Sequence, residues 1–577
     1  MYDVLPYRGD YYPVLGQLLD EIDVAGTINK VINTPDTRSN IDVGTYTCLM
    51  ILNLLGDVNI RLYRMNEFFE DKALPLMIPW NPYIDINEIN DDRAGRVLDI
   101  IWNADPQKVF SAVSTNAIHI HELDTTIIHA DTTSKSFEGA YEKQDINGIA
   151  PVIIQGFNKD HRPDLKQLIF GVGTTLDGIP IIGEVADGNV SDKKLNGRWV
   201  KDLRTILNKD IDDFLIYVAD SSLVTTNNLI LLNNYNVDFI SRLPGTFDIE
   251  KKLKEKALVE NNWECIGKLS DEKDSAIYQS WSTFDEIEGI RYRFVVISSD
   301  HKDERKLKSL DKTIKKESTE IYKKLKELSK RQFICKRDAE IESEKFSKKY
   351  RVKYHQITWE IQEKIEKVKR NTRGRPNKNE ILQTQTKYYL SGHLRINKEL
   401  YENECGLCGL FILITSLKDE KKYSTETILK MYKGQGNVER IFKFIKNPAW
   451  IGAFCLKKQE RLAALGYVLL IAAMVYTLWE RRVRKVLASD NVLPIDGLNK
   501  IKTKKPTTYA LQTILSSILV LCQKVDNRLC IWLPKPLKQN QKRVLELTGL
   551  GEEIYNFREE QKNMKKNHSS ASRGCEM

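Results

Sequence analysis

The feature that most narrows the fold of this chain is a series of short apolar runs between Thr125 and Gly245: TIIHADTTS, APVIIQGF, LKQLIFGVGTT, IPIIGEVADG, DFLIYVADSS and VDFISRLPG. Runs of this length, rich in Ile and Val and bounded by turn residues, read as strands. Between the fourth and fifth, LNGRWVKDLRTILNK carries apolar residues at helical spacing. Several strands, a helix, a further strand and another helix fit a mixed central sheet of α/β type. Two runs finish alike, IIHAD at Asp131 and IYVAD at Asp220. Each predicts a strand that delivers a carboxylate to the sheet's edge, where the backbone turns outward from a rigid support. On neighbouring strands the two carboxylates fall within reach of one hard cation.

The remaining segments arrange themselves around that sheet. Residues 1–120 carry amphipathic helical patterns (YYPVLGQLLDEIDVAGTINKVI, GTYTCLMILNLLG, DDRAGRVLDIIWN) and are expected to form an N-terminal helical domain. Residues 121–245 hold the first part of the sheet domain, and 246–400 read as an insertion, strand-like at first and basic and largely helical after 300. Within it, KESTEIYKKLKELSKR and ITWEIQEKIEKVKR are expected to pair as an antiparallel helical hairpin, closed off by TRGRPNKNE. CGLFILITS returns to strand character, so 401–490 completes the sheet domain, 491–556 is a C-terminal helical segment and 557–577 a disordered tail.

The formal net charge is +9, yet between His301 and Glu380 alone there are 26 Lys/Arg against 14 Asp/Glu, so the rest of the chain is slightly acidic. A basic block this concentrated draws a polyanion, although a solvated helical face would look the same by charge alone. Nine scattered cysteines read as reduced thiols, and Cys405 with Cys408 lacks a second pair at zinc-site spacing. The N-terminus has no basic segment followed by an apolar run, which points to the cytoplasm. Leu462 to Trp479 is uncharged over 18 residues, a length that just reaches a membrane span. Its Ala, Gly and Tyr content favours a helix buried in a large soluble core, with no membrane partner.

A third acid stands out by spacing. In YKGQGNVERIFKFIK, Tyr432, Gln435, Glu439, Phe442 and Lys446 recur every three or four residues and so share one face if the helix is continuous. A phenol, an amide, an acid and an amine make a poor core stripe. Glu439 is placed to complete a three-carboxylate metal site with Asp131 and Asp220, with Tyr432, Lys443 and Lys446 facing phosphates. His129, two places before Asp131, lies on the same strand face, and a core or supporting role is expected for it.

These residues resemble a known family, the DDE transposases of bacterial and archaeal insertion sequences, whose catalytic core is ribonuclease H-like. The resemblance is nearest to the subgroup with a large insertion between the second and third acids and the signature Y-x2-R-x3-E-x6-K. Here that signature reads Tyr432, Gln435, Glu439 and Lys446. Only the arginine departs, and Gln435 keeps hydrogen bonding without the charge. KDHRPDLKQLIFGV (159–172), GNVSD (188–192), ISRLP (240–244) and INDDRAGRVLD (89–99) look like the same subgroup. The resemblance implies Asp131, Asp220 and Glu439 as catalytic and metal-binding acids, with two Mg²⁺ ions for which Mn²⁺ can substitute. Asp131 would bridge both ions.

It further implies DNA binding by the domain of residues 1–120, cleavage of double-stranded DNA at terminal inverted repeats, joining to target DNA, a homodimer that brings two element ends together, and association with the nucleoid while bound. A ribonuclease H-like nuclease without strand transfer, and an inactive relative that only binds DNA, stay open on the sequence alone.

Overall fold

The computed structural model describes residues 4–33, 39–56, 62–137, 141, 150–160, 162–269, 274–301, 304–367, 384–446, 456, 458–525 and 528–559. The chain divides into two compact units, one formed by Met1–Ser241 with Ile428–Met577 and the other by Arg242–Thr427.

The first unit is built on five strands: β1 (Ile127–Phe137), β2 (Lys166–Thr174), β3 (Pro180–Asp187), β4 (Ile216–Ala219) and β5 (Asp238–Arg242). Their order is β3-β2-β1-β4-β5. β1, β2 and β3 run antiparallel as a meander, whereas β4 and β5 run parallel to β1. Parallel neighbours need crossovers, supplied by the helices Asp192–Ile206 and Thr226–Asn234. Three antiparallel strands followed by two parallel ones, with helices between, is the ribonuclease H-like arrangement expected from the sequence.

Two local expectations differ. β1 does not end at Asp131 but continues to Phe137, because its antiparallel partner β2 stays paired from His129↔Thr174 to Phe137↔Lys166. APVIIQGF forms only one isolated bridge, Ile154↔Gln167, in place of a strand.

The uncharged stretch lies in the helix Gln459–Leu487, which is long and apolar enough to cross a membrane and yet is almost wholly buried inside its unit. It packs on β3 and on the helices Val43–Leu54, Asp91–Asn103 and Pro106–Ile120. The first 120 residues share a compact unit with the sheet, and their helices pack their apolar faces on this one. Gly466 permits the close approach, since a Cβ there would meet Val185 Cγ2 at 2.9 Å. The Tyr467 hydroxyl accepts from the Val185 backbone N–H at 3.3 Å, tying the helix to β3.

The second unit contains β6 (Glu264–Lys268), β7 (Ile277–Ile287) and β8 (Ile290–Ser299), then the long hairpin of β9 (His355–Lys367) and β10 (Thr384–Ile396), and finally β11 (Leu410–Thr415). β11, β8, β7 and β6 lie side by side, all antiparallel. Helices Glu304–Leu328 and Lys336–Lys349 precede the hairpin. The expected helical hairpin is thus half right: ITWEIQEKIEKVKR is a strand over its described part. Ile357, Ile361 and Ile365 recur every four residues, as a helix would require, but Trp359 fills the alternation that a strand requires. Ile357, Trp359 and Ile361 pack on a core of Ile321, Leu325, Leu328, Phe346 and Leu390. Cys405 and Cys408 lie on the helix Lys398–Cys408 at intermediate exposure. TRGRPNKNE and the expected tail beyond 559 fall outside the described residues.

Candidate active site

β1 and β4 pair in parallel with Ala130 opposite Ala219, so Asp131 and Asp220 occupy the next, matching positions on adjacent strands. Neighbouring strands lie about 4.8 Å apart, so the two carboxylates leave the sheet as a pair. β4 ends at Ala219 while β1 continues, which makes Asp131 the first residue of β1 to pass the end of β4. The Asp220 side chain accepts from the Ser222 N–H at 3.0 Å and from the Ser222 hydroxyl, and its carbonyl accepts from the Ser241 hydroxyl on β5 at 2.7 Å. These contacts fix the turn that presents it.

Asp131 is half-buried, and burial pushes its carboxyl up to about 6; Lys159 opposes the shift, while Asp220 and Asp192 add to it. Lys159 Nζ donates to the Thr132 carbonyl at 2.6 Å and to its hydroxyl at 2.8 Å, and lies 3.1 Å from Asp192 and 3.5 Å from Asp131. The Thr132 hydroxyl in turn donates to Asp192 at 2.5 Å. Asp192 opens the helix Asp192–Ile206, where a negative charge is favoured by the helix dipole. Two aspartates on the sheet, a third on a helix start and one ammonium thus form a cluster that is short of positive charge. Lys159 and Asp192 sit in the KDHRPD and GNVSD segments, which mark the resemblance but gave no sign of this contact. His161 falls outside the described residues, and Arg162 pairs with Asp164 at 2.8 Å.

The third acid is carried by the helix Gly436–Lys446, which packs on β1 and β2. The helix expected to run from Tyr432 through Lys446 is broken: Thr425–Lys433 ends and Gly436–Lys446 begins across a turn at Gly434 and Gln435. Tyr432 therefore closes one helix, Gln435 sits half-buried in the turn, and only Glu439, Phe442, Lys443 and Lys446 share the next helix. The cause lies on β1. His129 is fully buried, and its Nε2–H donates to the Met431 carbonyl at 2.7 Å. A Cβ at Gly434 would stand 2.7 Å from that same nitrogen. Burial also lowers the His129 pKa, so the ring is neutral and serves to seat the turn.

From this seat the helix runs along the face of β1 that carries His129, Asp131 and Lys135. Asp131 lies two strand residues, about 7 Å, beyond His129. Glu439 lies one turn into the helix that starts at Gly436, just past this seat. At the far end Lys446 Nζ pairs with Asp160 at 2.6 Å, next to Lys159. Lys135 beside them is half-buried and its ammonium is pushed down to about 8 by burial. Glu439 lies two turns before Lys446 and so shares the helix edge that faces the Lys159–Asp160 loop. On the other edge Asn437 donates to the Leu176 carbonyl at 2.6 Å and Arg440 pairs with Glu480 at 2.8 Å. Arg440 is thereby engaged and does not stand in for the arginine replaced by Gln435.

Glu439 and Lys443 are exposed, Phe442 is buried among Val438, Ile441 and Ile445, and Lys446 is half-buried. Among the described residues, no three His, Cys, Asp or Glu side chains are already gathered into a metal cage. The structure brings Asp131 and Asp220 together, while Glu439 lies exposed on the helix that packs on β1 and β2. All three are hard oxygen donors, the ligand class suited to Mg²⁺ and Mn²⁺. The excess of negative charge where Asp131, Asp220 and Asp192 meet a single lysine fits a divalent cation.

The family model for a transposase DDE domain matches residues 172–475, more than half of the chain, beginning after Asp131 and including Asp220 and Glu439. A second model, for a domain of unknown function (DUF4277), matches residues 7–115. No curated protein matches the chain. Among solved structures, one described as a cryo-EM structure of a piggyBac transposase synaptic complex with hairpin DNA is similar, at 9% identity and TM-score 0.35 over 89% of this chain and 83% of that one. The match over residues 172–475 decides the identity: this chain belongs to the DDE transposase family and is a DNA transposase.

Proposed function

We propose that Asp131, Asp220 and Glu439 form the acid triad of this transposase and hold two Mg²⁺ ions, with Mn²⁺ able to substitute. The DDE domain's chemistry uses divalent metal ions; the choice of magnesium and of these three ligands is our reading. The observation that carries it is the matched register of β1 and β4, which sets two aspartates side by side where one strand outlasts the other. When bound, the ions activate an attacking water or 3′-hydroxyl and stabilise the departing oxygen of the phosphodiester.

The chain's own residues supply position and charge. Asp131 and Asp220 bind from the rigid sheet, and Glu439 binds from the neighbouring helix. Lys159, held by Asp192 and Thr132, balances negative charge beside Asp131 and keeps its carboxyl in the range where it ionises near neutral pH. Tyr432, Gln435, Lys443 and Lys446 contact backbone phosphates of the element end, Gln435 by hydrogen bonding alone. Cleavage frees the 3′-ends of the element at its terminal inverted repeats, and the same acids then serve the joining of those ends to target DNA. Two ends must be brought together, so the working form is a homodimer on DNA, located in the cytoplasm and at the nucleoid while bound.

The test is a plasmid assay with the gene and its flanking DNA, comparing the natural protein with Asp131→Asn, Asp220→Asn and Glu439→Gln. Mg²⁺-dependent nicked and joined products are expected from the natural protein. At least a thousandfold loss is expected in each variant, with duplex binding retained. Full activity in Glu439→Gln would remove the third acid from the reading.

A further inference from the structure

The helix Glu304–Leu328 of the second unit presents two unlike faces. Ile314, Ile321, Leu325 and Leu328 are buried, the last three in the unit's own core beneath β10. At about 100° per residue, Lys308, Lys312, Lys315, Lys316, Lys323 and Lys326 all fall within an arc of roughly 100° on the opposite side. All six are exposed. The helix also holds Glu304, Asp311, Glu317, Glu320 and Glu327, and none of them falls in that arc.

Two of these acids are turned to other work. Glu317 accepts from His355 Nδ1 at 2.7 Å and from the backbone N–H of Lys353 and Tyr354 at 2.7 and 3.0 Å. Asp311 accepts from the Tyr401 hydroxyl at 3.3 Å. Among the described residues, Lys308 alone of the six lysines pairs with an acid, Glu304 at 3.1 Å, and that pair is exposed. Acids four residues from Lys308, Lys315, Lys316 and Lys323 give the helix ordinary stabilising pairs, yet all of them lie outside the arc. Here one sign has been sorted onto one face over about 27 Å of helix, most of the length of one turn of B-DNA.

We propose that the lysine face of the helix Glu304–Leu328 docks the sugar–phosphate backbone of a DNA duplex, as a sequence-independent contact separate from the acid triad. The chemistry of the face decides among polyanions. An amphipathic helix that binds a lipid surface must offer its apolar side, and here that side is already buried in the core. Proteins that hold single strands stack bases on aromatic rings, and the lysine arc contains none. Flexible ammonium groups at regular intervals suit phosphates, which carry one charge per about 1.7 Å of duplex axis. The proposal rests on DNA being the substrate of this chain and not on which side chains carry out the chemistry.

The experiment uses the full chain with Lys312, Lys316, Lys323 and Lys326 each replaced by Gln, alongside a variant with the same four replaced by Arg. Binding to a duplex of arbitrary sequence is followed by fluorescence anisotropy across a range of KCl concentrations. Every phosphate that is no longer neutralised by the protein lowers the slope of log affinity against log salt by about 0.9, so the Gln variant is expected to fall by about 3 to 4. Its affinity at fixed salt is expected to drop at least tenfold, the Arg variant should keep the natural slope, and Mn²⁺ binding should be unchanged in both. A slope unchanged in the Gln variant overturns the proposal. So does a weakening seen only on phosphatidylserine vesicles and not on duplex. Asp131→Asn provides the separation from the triad: it abolishes cleavage if the triad is right and leaves the salt slope intact whether or not it is.

Discussion

Lys159 Nζ stands between two carboxylates, 3.1 Å from Asp192 and 3.5 Å from Asp131, and is held more closely by the carbonyl and hydroxyl of Thr132 at 2.6 and 2.8 Å. Its strongest attachments are to its supports, not to the acid it neutralises. The ammonium therefore stays beside Asp131 as a fixed positive charge.

Removing that charge moves the ionisation of Asp131. Lys159 lowers a carboxyl that burial has pushed up to about 6, so Lys159→Gln raises it further. A metal takes the ionised carboxylate, so the pH at which Mn²⁺ binding is half complete should rise, by up to about one unit. Mn²⁺ titrations by electron paramagnetic resonance at stepped pH read this directly, and a midpoint that falls would contradict it.

Asp131 also destabilises the metal-free protein near neutral pH. Its folded pKa of about 6 lies above the ordinary carboxylate value, so the folded state keeps the proton through a range in which the unfolded chain has released it. The stability this group allows is present below about pH 4 and is lost as pH rises towards 6. Asp131→Asn should thus unfold at higher temperature than the natural protein at pH 7 without divalent ions, by up to about 2 kcal/mol after allowance for solvent screening. The gap should close by pH 4, and added Mg²⁺ should stabilise only the natural protein. Thermal unfolding with and without chelator checks all three.

Gly434 is the seat of the helix that carries Glu439. Gly434→Ala sets a methyl against His129 Nε2, an overpacking of about 1 to 3 kcal/mol that is relieved by tilting the turn. Cleavage should fall at least tenfold with the fold retained by circular dichroism. Adding His129→Ala opens space for the methyl, so the double variant should recover part of the activity. Additive effects would show that the two positions act separately.

Restoring the signature arginine gives a gain in place of a loss. Gln435→Arg adds one charge at a position assigned to phosphate contact, and the salt dependence of DNA binding should steepen by about 0.9. Duplex binding across a salt series measures it; an unchanged slope would move position 435 away from the DNA.

The sheet and its two aspartates were legible because apolar runs of strand length carry their own punctuation, and both runs stop on an acid. The true end of β1 was not, since a strand's length is set by its partner, and β2 lies some forty residues further along the chain. The seat at Gly434 escaped notice for a similar reason: a periodic reading carries a helix through a glycine, and only the ring of His129, 302 residues away from Met431 in sequence, stops it. Lys159 and Asp192 meet across a loop and a helix start, a contact no local pattern encodes. β9 was misread because its isoleucines satisfy both periods, and the tie was broken by packing around Trp359.

The extension of β1 past the end of β4 has a mechanical outcome. Ladder bonds to β2 run on from His129 to Phe137, so Asp131 is pinned on the edge opposite to the one that the shorter strand leaves open. The backbone beneath it has little freedom to yield. In the proposed centre, any adjustment on taking up metal then falls to the broken helix that carries Glu439, with Asp131 the fixed member.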